Sequence, residues 1–220
     1  LACKYCYLVG KNTKERMTWE VAKQAIDYIL DHEHEFTEES VVWDFIGGEP
    51  FLEIDLIDQI CDYLKTEMFR RNHHWFNSYR FSFSTNGINY HSDKVQRFIK
   101  KNHDHLSIGI TIDGTRKKHD LNRIWKTAEM EQGIMPKAEE ERGSYDDVVK
   151  NIPLWIEQFP NGGTKVTISS ADIPYIKESV LHLYALGIHE VNINCVFEDV
   201  WHEGDDARFE EQLLQLADAI

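Results

Sequence analysis

Cys3 and Cys6, separated by two residues in the opening stretch LACKYCY, are the side chains of this protein best suited to chemistry. A thiolate is a nucleophile and a soft metal ligand, so such a pair can be a redox dithiol, half of a zinc site or part of an iron–sulfur ligand set. A zinc ribbon needs a second cysteine pair or a histidine pair at suitable spacing, and Cys61 and Cys195 each stand alone. A thioredoxin-like pair should follow a strand and open a helix, yet a run of mostly polar or small residues separates Cys6 from the next helical pattern at Thr18. Iron–sulfur ligation is the chemistry favoured.

Further candidate residues stand in GGEP (47–50), STNG (84–87), TIDG (111–114), SSAD (169–172) and NCVFED (194–199). In GGEP, Gly47 and Gly48 let the backbone approach a ligand with no Cβ in the way, and Pro50 suits the first turn of a following helix. Glu49 between them offers a carboxylate or a carbonyl. Taken singly, each of these stretches is ordinary turn chemistry.

All five lie at the ends of short runs rich in Val, Ile and Phe: 40–48, 79–87, 106–114, 164–172 and 190–199. The pattern predicts strands there. Between them run helical periodicities. Val21, Ala22, Ala25, Ile26, Ile29 and Leu30 share one face after a Thr18 cap, and Ile57, Ile60, Cys61, Leu64 and Met68 share another. Ser144 followed by Asp147 resembles a capping box; Ile176, Val180 and Tyr184 form a further face, and Phe209, Leu213, Leu216, Ala217 and Ile220 a last one. Strand–helix alternation implies a parallel α/β sheet, open or closed, with ligands at the carboxyl ends of its strands. Residues 124–143, polar and acidic with Gly133 and Pro136, interrupt the rhythm and predict a long loop. No domain boundary is visible, so residues 1–220 are expected to form one domain.

Composition narrows the function classes. A formal charge of −14 argues against a general nucleic-acid surface, which needs Lys and Arg to displace phosphate counterions. No apolar run is long enough for a bilayer. Four scattered cysteines are too few for a disulfide scaffold and suit a reducing, cytoplasmic compartment.

With these motifs together, the chain resembles the radical S-adenosylmethionine (SAM) enzymes. Their signature is CxxxCxxC, and Leu1 to Cys6 matches all but its beginning, which would place the first cysteine two positions before Leu1. The resemblance implies a partial (β/α)6 TIM-like barrel lacking its first strand here, a [4Fe–4S] cluster held in part by Cys3 and Cys6, and SAM on the open iron. It implies that Gly47, Gly48 and Glu49 contact the methionine amino group and that Tyr5 lies against the adenine. Thr111 of TIDG would lie near the SAM ribose or carboxylate, and Arg123, at the end of an HDxxR-like stretch, would partner the SAM carboxylate, with Ser84 and Asn86 as further, weaker candidates for ligand contact. TNG, IDG, HDxxR and GSYDDV (143–148) are similar to the maturases that modify peptides or proteins. From that subgroup follow a peptide or protein substrate, a reductant such as flavodoxin or ferredoxin, and a further auxiliary-cluster region in the parent protein. Thioether or carbon–carbon crosslinking of a ribosomally made peptide is the first expectation, and formylglycine formation on a sulfatase the second. The resemblance names no catalytic side chain.

Other readings compete. A non-catalytic iron–sulfur or peptide-binding barrel would use the same cysteines, and an unrelated α/β phosphate-binding enzyme would give them no role, although no G-x-G-x-x-G or P-loop fingerprint is present. Cys61 and Cys195 are expected in the core, Cys195 with a strand-end position that could face a cavity. His73, His74, His103 and His105 are expected in exposed loops. Glu198 and Asp199 suit an acidic loop before a helix, or a substrate carboxylate contact.

Overall fold

The computed structural model describes residues 1–6, 15–126, 141–198 and 200–220. In chain order the elements are β1 (Ala2–Cys3), α1 (Trp19–Asp31), β2 (Val41–Phe45), α2 (Ile54–Arg70), β3 (Tyr79–Thr85), α3 (Asp93–Asn102), β4 (Leu106–Ile110), α4 (Arg116–Asn122) and β5 (Arg123–Ile124). They continue with α5 (Tyr145–Val149), α6 (Ile152–Gln158), β6 (Gly163–Ile168), α7 (Ile176–Ala185), β7 (Glu190–Cys195) and α8 (Asp205–Ala217). Contacts group the chain into two compact units: Leu1–Asn12 with Asn86–Ile88 and Ile110–Ile220, and Thr13–Thr85 with Asn89–Gly109.

The smaller unit is built on strands in the order β2–β3–β4. β2 and β3 run parallel, Val41 opposite Tyr79 through Phe45 opposite Phe83. Alternation along β3 buries Phe81, Phe83 and Thr85 on one face. Phe83 is the centre of an aromatic cluster, stacked on Phe45 at 4.9 Å and packed against Phe51 and, edge-on, against Phe98. Burying such a ring contributes roughly 1.5–3 kcal/mol. As expected, Thr18 caps α1, accepting from the Val21 N–H at 3.4 Å. Its buried stripe is narrower than the sequence implied: Ala22, Ile26 and Leu30 are buried while Val21 and Ala25 are exposed. All five apolar positions expected on α2, Cys61 included, are buried.

The larger unit holds a parallel β6–β7 pair, in register from Gly163–Glu190 to Ile168–Cys195, and a short antiparallel β1–β5 pair. Sequence reading placed residues 124–143 in a loop, but Ile124 is a strand residue. It pairs with Ala2 on one side and bridges Gly143 on the other. The Trp125 N–H also donates to the Arg142 carbonyl at 2.8 Å, so both edges of this segment are tied together. Gly133 and Pro136, with all of 127–140, lie outside the described residues, as does Asp199.

Ser144 does not form the expected capping box; its hydroxyl donates to the Arg123 carbonyl instead. A capping box occurs at Ser169–Asp172, where the chain leaves β6. Cys195 is exposed rather than in the core. All five expected strands are present, each shorter than expected, and among the described residues they form small sheets and no closed barrel. No described helix is long and apolar enough to cross a membrane.

Gly114, at the turn after β4, has φ +117°, and a Cβ there would lie 2.2 Å from the Ser179 Cβ and 2.8 Å from its Cα in α7. Gly114→Ala is therefore expected to destabilise this unit by about 2 kcal/mol or more, read as a lowered urea midpoint.

Candidate functional site

The cysteine loop begins on β1, where Cys3 stands opposite Arg123 of β5. Behind it the chain turns: the Cys6 N–H donates to the Cys3 carbonyl at 3.0 Å, and the Lys4 N–H to the Asn122 carbonyl at 2.9 Å. Both thiols are free and half-buried. Tyr5, between them, donates its hydroxyl hydrogen to Asp113 Oδ2 at 2.7 Å and accepts from Arg123 Nη1 at 2.8 Å. Burial, with Asp113 next in effect, pushes the Tyr5 phenol well above its ordinary value, so it remains a neutral O–H donor. Burial likewise raises the Cys3 thiol, while the Arg123 guanidinium acts in the opposite direction.

Arg123 is buried, and its Nε–H has no hydrogen-bond partner among the described residues. A buried donor of this kind normally has an acceptor. Here it sits beside Cys3, a ligand-type sulfur, so the set of two thiols and one guanidinium with a free N–H among the described residues suits an electron-rich group. The Cys3–Cys6 loop fits a cluster held in part by thiolates.

Asp113 is fully buried, and Lys118, equally buried, places its ammonium 3.8 Å from it. Lys118 also donates to the Thr167 carbonyl at 2.8 Å and lies 3.2 Å from Asp172. His119 adds a second connection. The Asp113 N–H donates to His119 Nδ1, which places the ring proton on Nε2, facing the Ser144 hydroxyl at 3.0 Å. Ser144 then donates to the Arg123 carbonyl at 2.8 Å. Burial, with Arg123 and Lys118 nearby, depresses His119 to about 2, which keeps it neutral and this relay intact.

The strand ends of the same unit meet the cysteine loop. Tyr5, Cys6, Asn122, Ser169, Val196 and Glu198 line a pocket of about 260 Å³. Ser169 and Val196 are the first residues after β6 and β7, where the carboxyl-end rule places ligands. Thr111 is half-buried just after β4. Asn86 accepts from the Ile88 N–H through Oδ1 at 2.9 Å, an Asx turn, and the Gly87 carbonyl accepts from Asn151 at 2.7 Å.

In the smaller unit, GGEP forms its own group. Gly47 and Gly48 are exposed, and a Cβ at either would meet nothing within 4 Å. Glu49 Oε1 accepts from the Phe51 N–H at 3.1 Å and from Thr85 Oγ1 at 2.6 Å. Sequence reading named Ser84 and Asn86 around this point and missed Thr85, though the alternation of β3 puts 81, 83 and 85 on one buried face. The same reading missed Asp113 and Lys118, because neither a buried acid in a TIDG turn nor a lysine in KKHD announces its partner.

Residues 1–133 match the profile of the family described as "4Fe-4S single cluster domain". The chain belongs to that family. Membership in the 4Fe-4S single cluster domain family resolves the choice left by the cysteine pair in favour of iron and sulfur. An uncharacterised protein of Methanocaldococcus jannaschii is 29% identical over 198 residues, which are 89% of this chain and 58% of that protein. The fold is that of a structure described as native anSMEcpe with bound AdoMet and Kp18Cys peptide, at TM-score 0.72 and 18% identity, covering 100% of this chain and 56% of the other. A second solved structure, Streptococcus suis SuiB bound to precursor peptide SuiA, aligns at TM-score 0.60 and 15% identity over 99% of this chain and 43% of the other. The chain thus adopts a partial TIM-like α/β fold and spans a little over half the length of the relative and of anSMEcpe.

A separate donor cluster, Glu33, His73 and His74, brings its ligand-type atoms within 4.8 Å of one another in the smaller unit. His73 is buried rather than exposed as expected, and its Nδ1 accepts from the Trp75 N–H at 3.2 Å. The neutral ring then carries its proton on Nε2 and has no lone pair left for a metal. His74 pairs directly with Glu33 at 2.5 Å. This cluster is a hydrogen-bonded His74–Glu33 pair beside a buried ring.

His119 gives the site an acid-sensitive anchor. Its ordinary value is 6.5 and its folded value about 2, so the unfolded chain binds the extra proton between these limits. The stability it contributes is complete above pH 6.5 and declines as pH falls below it, by at most about 1.4 kcal/mol per pH unit. Urea midpoints at pH 7, 6 and 5 should fall more steeply for the native chain than for His119→Asn.

Proposed function

We propose that this chain is the catalytic core of a radical SAM enzyme that modifies a peptide or protein, forming a thioether or carbon–carbon crosslink in a ribosomally made peptide. The observation that carries the reading is the cysteine loop. Two free thiols are held on a turn beside a buried guanidinium, at a pocket formed with the ends of β6 and β7. Membership in the iron–sulfur family supports it, as do fold neighbours whose structures contain AdoMet or a peptide.

In this proposal Cys3 and Cys6, with a third cysteine of the parent protein, hold a [4Fe–4S] cluster. Bound there, the cluster would supply an electron for the reductive cleavage of SAM, which is the chemistry that begins hydrogen abstraction from a substrate. The chain's own residues bind and orient. Glu49, fixed by Thr85 and by the Phe51 N–H, presents a carboxylate that cannot swing away and so suits the SAM ammonium. The bare backbone of Gly47 and Gly48 allows close approach. Arg123 offers a desolvated Nε–H toward the SAM carboxylate, Thr111 stands at the end of β4 for the ribose or carboxylate, and Ser84 and Asn86 flank Thr85. Tyr5 directs its hydroxyl away to Asp113 and Arg123, leaving its ring to line the pocket against an adenine. A single core over 1–220, a cytoplasmic setting and a flavodoxin- or ferredoxin-like reductant belong to the same proposal. Formylglycine formation is the second reading, since the neighbour with the higher TM-score, anSMEcpe, is an anaerobic sulfatase maturase.

The test is anoxic reconstitution of the full gene product containing this chain with iron and sulfide, followed by dithionite and SAM. 5′-Deoxyadenosine should accumulate, and Cys3→Ala with Cys6→Ala should reduce it to background. A stable cluster with no SAM cleavage would leave a binding protein, and zinc bound in place of iron would remove the reading altogether.

A further inference from the structure

The aromatic residue of the cysteine loop is a tyrosine whose hydroxyl is used twice. It gives its hydrogen to Asp113 and receives one from Arg123. A ring lining a pocket needs no hydroxyl, so these two bonds call for their own explanation. Asp113 is equally unexplained by packing. It is fully buried at the turn after β4, and among the described residues its carboxylate's remaining contacts are Lys118 at 3.8 Å and a long bond from the Thr167 N–H at 3.5 Å. Lys118 does not depend on Asp113, since Asp172 and the Thr167 carbonyl already partner it. What Asp113 adds is a fixed orientation for Tyr5, and through Tyr5 a fixed position for Arg123. Arg123 in turn stands opposite Cys3, with an Nε–H unpaired among the described residues.

We infer that Asp113 is a positioning residue for the iron–sulfur site, acting through the Tyr5 hydroxyl to hold the Cys3–Cys6 loop in shape and to keep the Arg123 guanidinium beside the Cys3 sulfur. The inference rests on the reading of Cys3 and Cys6 as cluster ligands. Its physical content has two parts. The hydrogen bonds set the shape of the loop, as partners outside the ligand shell commonly do for metal sites. The charges set the field at the sulfur: Arg123 favours extra electron density there, and Asp113 opposes it.

Two substitutions separate these parts. Asp113→Asn keeps an acceptor for the Tyr5 hydroxyl and removes the negative charge, while Lys118 retains Asp172. Tyr5→Phe keeps the ring and removes both hydrogen bonds. The full gene product is reconstituted anoxically without SAM, and iron content, the reduced cluster's EPR spectrum and its midpoint potential are measured, with urea unfolding as a check on global stability. Asp113→Asn is expected to load iron like the native protein and to show a more positive midpoint potential, because a buried negative charge near the cluster is gone. Tyr5→Phe is expected to retain iron about ten-fold less well at similar urea stability, with an altered EPR signal. If native protein and both variants load the same cluster with the same potential and spectrum, Asp113 is only a core residue and the inference fails while the cluster reading stands. If the native protein itself assembles no iron–sulfur cluster, both fail. Should Asp113→Asn not fold, Tyr5→Phe alone decides, unchanged iron retention and spectrum overturning the inference.

Discussion

A carboxylate without access to water sets the terms for the larger unit. The Asp113 carboxylate has lost its hydration to burial and needs protein groups in its place, since taking a charge out of water costs several kcal/mol. Its partners come from separate elements: Tyr5 from the cysteine loop, Lys118 from α4, Thr167 from β6. Each must be in place before the acid is tolerable, so the acid couples their arrival. This explains how a β1–β5 pair of only two residues per strand can hold. A ladder that short is marginal by itself. Here the Lys4–Asn122 backbone bond, the Tyr5 hydroxyl and the neutral His119–Ser144 relay reinforce it.

Strand alternation organises the smaller unit in a different way. Burying Phe81 and Phe83 commits Thr85 to the same face, where its hydroxyl reaches Glu49. The hydrophobic effect, which has no direction, thereby produces a directed hydrogen bond at the end of the strand. Pro50 completes the arrangement, since the missing N–H of proline costs nothing at a helix start where Glu49 already caps the Phe51 N–H.

Features carried by period and by punctuation were legible in the sequence. The positions of β2, β3, β4, β6 and β7, the Thr18 cap and the buried face of α2 all follow from spacings within about ten residues. The cysteine pair was legible because few chemistries use it. What escaped depends on partners distant in the chain. Ser144 with Asp147 has the letters of a capping box, yet its hydroxyl is drawn to the Arg123 carbonyl and His119, while the box forms at Ser169. His73 looked like a loop histidine because nothing local reveals that the ring is buried among Trp75 and His74. Tyr5 was read for its ring, and its hydroxyl chemistry became visible only with Asp113 and Arg123 beside it.

The tie between Trp125 and Arg142, with the Ile124–Gly143 bridge next to it, closes the chain on itself at the base of an acidic segment. Closure of this kind separates what lies beyond the tie from what lies before it. The entropy of joining two ends grows only with the logarithm of the length between them, about 0.6 kcal/mol for each doubling. The tie therefore holds Trp125 to Arg142 in a way that depends only weakly on how many residues lie between them. The cysteine loop, whose strand pairs with Arg123 and Ile124, keeps its footing whatever length of chain the tie encloses.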